Sequence, residues 1–294
     1  MLPLVGDLAP PARRATAISL VTCGLALGML FARLLAGIIA SRTDWRNVYW
    51  LSLALQYLIF LLMWLFMPDY PATNSDISYW TILSSIIGYF VRSPVLVQAT
   101  LIGFLTSATF TSFWTTLTFL LSGDPYRYST LTIGLFSLAG LTPMFFGPVF
   151  SRFLIDNFVT PFCVTVSLLI TIAGIAVGTY TGSFSVAGPI LQAVLQDFGI
   201  QMTQIANRAA IYKVAPKARN RINTGYMVGV FCGQLMGTSV GNQVYARGGW
   251  IMSGTMGLAL VAGALVIGLL RGPLEKGWIG WRGGMRLRRI PEEG

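Results

Sequence analysis

Side chains able to bind a proton or a small solute are concentrated in the segment 186–211, which is otherwise apolar. They form two neighbouring stripes at helical spacing. The first stripe is Gln192, Gln196, Thr203 and Asn207, and the second is Asp197, Gln201, Gln204 and Arg208. Residues three, four, seven or eleven positions apart share one face of a helix. The pattern therefore predicts a helix with one polar face, on which Asp197 is an acid that can bind a proton or a cation.

The composition indicates that this polar face lies within a membrane. The chain has 294 residues, of which 54% are hydrophobic and only 10% are charged. A soluble domain has roughly 25% charged residues, so an ordinary soluble enzyme is excluded. Histidine is absent, which excludes histidine bases, histidine metal ligands and histidine-containing triads. No pair of cysteines has metal-ligand spacing, and we expect neither a metal nor a cofactor.

Two interpretations of the polar face follow. In the first, it lines a central water-filled cavity, because ionisable groups within a membrane are costly and face such cavities. Asp197 would then bind a proton or a cationic substrate. In the second, the glutamines hydrogen-bond to neighbouring helices and Asp197 lies close to the outer water.

The segment 186–211 is preceded and followed in the sequence by other long apolar segments. A helix needs about 20 apolar residues to cross a bilayer. We predict eight spanning helices, at 15–40, 48–67, 97–121, 130–151, 161–181, 186–211, 223–245 and 250–271. The longest connection, 68–96, contains a polar breaker and a segment that could lie on the membrane surface as an amphipathic helix. The fold class is therefore all-α, a polytopic membrane protein.

The loops alternate in charge, which predicts the orientation. One set of loops and the C-terminal tail hold 14 of the 20 Lys and Arg residues, whereas the opposite loops hold four. This asymmetry predicts a cytoplasmic C-terminus, in an integral and multi-pass protein that we expect in the plasma membrane. The tail 277–289 combines Trp278 and Trp281 with four arginines, so we expect it to lie on anionic lipid headgroups rather than on nucleic acid.

Glycines repeat across the two ends of the chain. Gly24 and Gly229, Gly28 and Gly233, and Trp45 and Trp250 are each separated by 205 residues. Two copies with the same orientation predict a parallel internal repeat, which is one plan of membrane transporters. Small residues four apart also let helices approach closely. A helix-packing role is therefore predicted for six glycines: Gly24, Gly28, Gly37, Gly229, Gly233 and Gly237.

Four motifs resemble the major facilitator superfamily (MFS), especially its drug-efflux-like proton antiporters. They are DLAPPARRA at 7–15, SFWTTLTFLLSG at 112–123, IGLFSLAGLTPMFFGPVFSRFLID at 133–156 and NRAAIYKVAPKARNRINTGYM at 207–227. The resemblance implies MFS-like helical bundles with the first three to four of the usual twelve helices missing. It assigns 1–67 to the remnant of an N-terminal bundle, 68–96 to a cytoplasmic linker, 97–271 to a C-terminal six-helix bundle and 272–294 to a basic cytoplasmic tail.

The resemblance implies a secondary transporter that moves a small solute or drug by alternating access, coupled to protons, as a monomer in the lipid bilayer. It also implies that basic turns form salt bridges that hold one state, although these charges could instead serve orientation alone. The residues of these turns are Arg13, Arg14, Arg152, Asp156, Lys217 and Arg219. The alternative function is a truncated, non-transporting membrane protein that is a fragment of, or partner to, a complete carrier.

Three further residues have two interpretations each. Arg33 stands where the family usually has Gly-Pro, and it either faces the cavity or extends toward the outer headgroups. Thr111 and Trp114 either contact substrate or fill space between helices.

Overall fold

The fold is all-α, as predicted. The computed structural model describes residues 24, 28, 31–32, 34–67, 78–141, 153–154, 157–215, 218–284 and 287–288. Within these residues the regular elements are helices, and β-structure is limited to two isolated bridges. The chain divides into two compact units. The first unit is Met1–Thr81 with Arg127–Leu138, and the second is Ile82–Tyr126 with Ala139–Gly294.

The first unit contains a helical stretch at 34–42, the helix α1 at Arg46–Phe66 and a short helix at Thr130–Leu135. Gly37 packs on the short helix, where a Cβ atom would lie 3.2 Å from the carbonyl oxygen of Thr130. No side chain of α1 is buried, although the helix is strongly apolar. A surface of this kind suits a lipid environment, because apolar side chains exposed to water are unfavourable.

The second unit is built from the longer helices. In chain order the helices after α1 are α2 at Tyr79–Arg92, α3 at Pro94–Ser122, the short α4 of the first unit at Thr130–Leu135, α5 at Thr160–Thr181, α6 at Ala187–Val214 and α7 at Arg219–Leu269.

Helix α3 begins three residues earlier than predicted. The Ser93 hydroxyl accepts a hydrogen bond from the Leu96 N–H, and Pro94 occupies the first turn, where its missing N–H costs nothing.

Helix α7 contains a chain reversal at Gly249. Its φ of 66° and ψ of −159° are non-helical and lie in a region open almost only to glycine. The reversal separates a first arm, 219–248, from a second arm, 250–269. Gly241 of the first arm packs against Ser112, and the Thr109 hydroxyl donates to the Gly257 carbonyl of the second arm over 3.5 Å. The two arms correspond to the predicted spans 223–245 and 250–271.

The predicted span 130–151 is only partly helical in the described residues. Helix α4 ends at Leu135 and is followed by a 3-10 helix at Phe136–Leu141. Residues 142–152 lie outside the described part of the chain. Helices α1, α3, α5 and α7 are long and apolar enough to cross a membrane.

Buried side chains lie where α3, α5, α6 and α7 meet. One cluster surrounds Ile102, Leu168 and Val261, and a second surrounds Leu96 and Tyr226. Leu96, Leu168, Tyr226 and Val261 are fully excluded from the surface. This core fixes α6 between its neighbours and therefore fixes which of its polar stripes points inward.

Candidate functional site

Asp197 on α6 and Trp114 on α3 form the centre of the candidate site. The indole N–H of Trp114 donates to both carboxylate oxygens of Asp197, over 3.3 Å each. Asp197 is 9% exposed. Gly140 makes room for the pair, because a Cβ atom there would lie 2.7 Å from Asp197 Oδ2 and 2.7 Å from Trp114 Cζ2. The structure thus joins two residues that the sequence predicted separately.

The rest of the second stripe continues from Asp197 along the same face of α6. Gln201, Gln204 and Arg208 are half-buried. The Arg208 guanidinium reaches the Met227 sulfur of α7 over 3.5 Å, and its buried Nε has no hydrogen-bond partner among the described residues. The stripe is therefore a polar strip of intermediate exposure, with an acid at one end and a cation at the other.

The first stripe points into the interior of the second unit. Gln192, Gln196, Thr203 and Asn207 are each no more than 3% exposed. The Gln192 amide donates to Gln196 Oε1 over 3.1 Å, and the Thr203 hydroxyl donates to the Gly199 carbonyl of its own helix. Asn207 donates to the Ala99 carbonyl of α3 over 3.5 Å. Only the Asn207 bond crosses to another helix, whereas the bonds of Gln192 and Thr203 stay within α6, so both interpretations of these four residues stay predictions.

A small cavity lies beside the two glutamines. Its volume is about 10 Å³, and its lining includes Gln192, Gln196 and Ser112. Gln192 Oε1 and Gln196 Nε2 have no hydrogen-bond partner among the described residues. A cavity that holds one water needs about 10–15 Å³ and several polar partners, and this one is close to that limit.

Thr111 is half-buried on α3, one turn before Trp114 and Thr115. Its hydroxyl donates to the Ser107 carbonyl of its own helix over 3.0 Å. Its donor is therefore used within α3, and only its acceptor capacity is left for a solute.

A row of glycines brings the first arm of α7 against α3. A Cβ atom at Gly233 or Gly237 would collide with the backbone carbonyls of Phe104 or Ala108, and one at Gly229 would collide with the Thr100 side chain. Sequence reasoning missed Gly225 and Gly241. Gly241 extends the contact along α3 to Ser112, whereas Gly225 packs against Phe90 and Ile86 of α2. All five glycines are spaced four residues apart, and this regular spacing could have identified the two missing positions. At Gly24 and Gly28, no described atom lies within 4 Å of a Cβ position.

Most of the predicted basic turns lie outside the described residues. This holds for Arg13, Arg14, Arg152, Asp156 and Lys217, and also for Arg33 in its predicted span. Arg219 is described, and it is exposed at the start of α7. The roles given to these residues stay predictions.

The C-terminal tail folds back onto the end of α7 and the start of α5, and its contact with lipid headgroups stays a prediction. The Gly280 N–H donates to the Leu270 carbonyl over 2.9 Å, and the Trp281 indole donates to the Leu269 carbonyl over 2.9 Å. The Val159 N–H, just before α5, donates to the Leu287 carbonyl over 2.8 Å. The tail therefore connects the end of α7 to the start of α5.

Glu275 organises the turn within the tail. Its carboxylate accepts the backbone N–H of Gly277 over 3.0 Å and that of Arg282 over 2.9 Å. These two hydrogen bonds favour the charged form and lower the pKa of Glu275. Sequence reasoning interpreted this segment from its charged residues and did not predict the turn. The glycines at 277 and 280 were the signal for it.

The fold and the buried acid define an integral membrane protein with a polar strip inside a helical bundle. Comparison with known proteins gives the family, since residues 1–194 match the model of the Major Facilitator Superfamily. The chain belongs to this superfamily. The superfamily match points to transport rather than to an enzymatic reaction.

Several curated relatives are similar along most of the chain. An uncharacterized transporter of Escherichia coli is 32% identical over 85% of this chain and 63% of its own length. A probable transporter of Streptomyces coelicolor is 28% identical over 91% and 61%. A probable sugar efflux transporter of Helicobacter pylori is 26% identical over 87% and 64%. The chain thus spans a little less than two thirds of the length of these relatives.

Proposed function

We propose that the protein is a secondary active transporter that moves a small solute or drug by alternating access, with Asp197 as its proton-binding group. The single observation that carries the proposal is the burial of the Asp197 carboxylate of α6 against Trp114 of α3, a helix long and apolar enough to cross a membrane. Ionisable groups at such depth are expensive, and they mark substrate or proton pathways. We also propose a cytoplasmic C-terminus, a plasma-membrane location and a monomeric state.

The geometry supports a binding role for the second stripe of α6. Trp114 offers an aromatic face beside the acid, and its ring stands edge-on to Phe113 with centroids 5.3 Å apart. An aromatic face next to a carboxylate suits a cationic or sugar-like solute, because rings attract cations and cover apolar faces. Gln201, Gln204 and Arg208 extend the strip with donors and acceptors. The names of the Helicobacter relatives support sugars as one solute class.

Transport is tested with the full chain reconstituted into liposomes under an imposed pH gradient. Radiolabelled lactose serves as a neutral sugar probe and ethidium as a cationic probe. We expect one probe to move with the gradient at a rate above that of protein-free liposomes. Asp197→Asn should abolish the dependence on the gradient, because an amide binds no proton.

Asp44→Asn is the matched control. Asp44 is exposed in the first unit, where it pairs with Arg46 over 3.3 Å. It should leave transport unchanged. Gradient-dependent uptake that persists in Asp197→Asn would show that the coupling role is wrong.

The alternative is a non-transporting membrane protein that assembles with a complete carrier. The same liposomes distinguish the two functions. A carrier moves a probe when it is the only protein present, whereas a partner protein moves neither probe until a complete carrier is added.

A further inference from the structure

A cavity of the second unit lies under the C-terminal tail. Its volume is about 440 Å³, which is in the range of small-ligand sites. Four elements form its walls: the first turns of α3, the start of α5, the last turn of α6 and the tail after α7. The tail bonds described above, from Val159 to Leu287 and from Trp281 to Leu269, hold its outer wall in place.

Three cations line this cavity. They are Lys213 at the end of α6 and Arg271 and Arg288 in the tail, and no Asp or Glu is among the described lining residues. The three come from parts of the chain far apart in sequence and converge on one space. A cavity with three positive charges and no acid in its walls favours an anionic ligand.

Arg271 is held in a fixed orientation. Its Nε donates to the Gly277 carbonyl over 3.0 Å, and its Nη2 donates to the Glu275 carbonyl. The remaining nitrogen, Nη1, takes no part in these two bonds. Burial lowers the pKa of the Arg271 guanidinium, and the nearby Glu275 charge partly opposes this effect. The guanidinium is therefore partly removed from water, where an anion would strengthen its charged state.

The remaining walls are of two kinds. Ile102, Val164 and Leu274 provide apolar surface. The first turn of α5 adds Thr160 and Pro161, and this helix start has no side-chain cap. The helix dipole adds partial positive charge at this start, although Pro161 has no N–H and the N–H groups of Phe162 and Cys163 donate to the Val159 carbonyl. The cavity thus combines cationic and apolar surface, which is the combination that an amphiphile with a charged head requires.

We propose that this cavity binds the phosphate group of an anionic ligand, with an acidic phospholipid as the source that its apolar walls favour. Lys213, Arg271 and Arg288 neutralise the phosphate, and Ile102, Val164 and Leu274 contact the glycerol and the upper acyl chain. The tail closes over the headgroup and is stabilised by it. Lipid would then bind within the protein as well as around it.

Binding is measured on the full chain in detergent by native mass spectrometry and by thermal unfolding. The probes are phosphatidylglycerol, zwitterionic phosphatidylcholine and inorganic phosphate. The test variant is the double substitution Lys213→Gln with Arg288→Gln, which spares the hydrogen bonds of Arg271. The control is Lys276→Gln with Arg282→Gln, which removes the same two charges from the tail, outside the cavity lining. The Arg282 contact to Glu275 uses its backbone N–H and survives this change.

We expect phosphatidylglycerol to bind more tightly than phosphatidylcholine, and the test variant to weaken this binding about tenfold or more while the control does not. Inorganic phosphate that stabilises the wild type but not the test variant, without a preference for phosphatidylglycerol, would support the site with a soluble phosphate as its source. Equal losses in test and control variants, or no loss in either, would overturn the proposal.

A second variant guards against misfolding of the first. Ala210 lines the cavity on α6 and is half-buried. Ala210→Phe reduces the cavity volume and keeps all three charges. We expect it to weaken phosphatidylglycerol binding as well, and unchanged lipid binding in this variant would show that the lipid lies elsewhere.

Discussion

The indole nitrogen of Trp114 lies 3.3 Å from each carboxylate oxygen of Asp197, so one N–H serves both oxygens of a buried acid. The two residues are 83 positions apart and belong to different helices. Their contact connects α3 to the polar strip of α6. Five substitution experiments test this contact and the packing around it.

Removing the indole donor should destabilise the protein. Trp114→Phe keeps a ring against Phe113 but leaves the buried carboxyl without this bond. We expect the free energy of unfolding to fall by about 1.5–3 kcal/mol. Unfolding in mixed detergent micelles measures it. Trp64→Phe is the control, because Trp64 is 76% exposed on α1. If Asp197→Asn and Trp114→Phe add without coupling in a double-mutant cycle, the contact contributes nothing.

The two buried glutamines should depend on each other. Gln196→Leu alone leaves the Gln192 amide donor unsatisfied beside the small cavity, and we expect a cost of about 1–3 kcal/mol. The double variant Gln192→Leu with Gln196→Leu should cost less than the sum of the single variants, because both polar groups are gone. The same micelle assay measures each. Additive costs would instead favour roles in contact with a solute.

The glycine row should not tolerate a methyl group. Gly237→Ala places a Cβ atom against the Ala108 backbone carbonyl, and we expect a loss of about 1–3 kcal/mol. Gly263→Ala is the matched control on the second arm of α7, where the nearest atom would be Leu105 Cδ1 at 3.8 Å. It should be neutral or slightly stabilising, because alanine favours helix more than glycine does. Equal effects at both sites would rule out close packing as the cause.

The chain reversal should require glycine for its backbone conformation alone. Gly249→Ala meets no atom within 4 Å, yet its φ of 66° should cost about 1–3 kcal/mol. Gly88→Ala meets equally open space in the helix α2 and should not destabilise the protein. Thermal unfolding compares the two. A cost at Gly88 as large as that at Gly249 would contradict the conformational explanation.

The tail turn should open in acid. The pKa of Glu275 is lowered in the folded tail by its bonds to Gly277 and Arg282. The charged carboxylate therefore stabilises the tail fully at a pH above its pKa in the unfolded chain, which is ordinarily about 4.3. This stabilisation is lost as the pH falls through the lower pKa of the folded tail. Hydrogen exchange at the Gly277 and Arg282 amides should accelerate over that range. Glu275→Gln should remove the pH dependence of that exchange, and an unchanged profile in this variant would assign the transition to another group.

The helices were predictable because membrane spans are long and apolar, and the polar face of α6 stood out against that background. The sequence could not decide which stripe points inward, since that depends on how α5 and α6 pack at Gly174 and Gly199. It also could not pair Trp114 with Asp197, because 83 residues separate them and each had a plausible separate role. The path of the tail could not be predicted from its arginines, because backbone bonds at Gly280 and Leu287 decide it, and its contact with lipid stays a prediction.

The contact of four α7 glycines, Gly229, Gly233, Gly237 and Gly241, with α3 has a mechanical consequence. Gly229, Gly233 and Gly237 meet Thr100, Phe104 and Ala108 with the same sequence offset throughout, so the two helices run in parallel and in register. A lengthwise shift that brought a residue with a side chain to one of these positions would push its Cβ atom into α3. The next register with glycines facing α3 is one four-residue step away, or about 6 Å along the helix. We therefore expect the first arm of α7 and α3 to move as one unit, so that a rearrangement of the helices would be absorbed at other contacts.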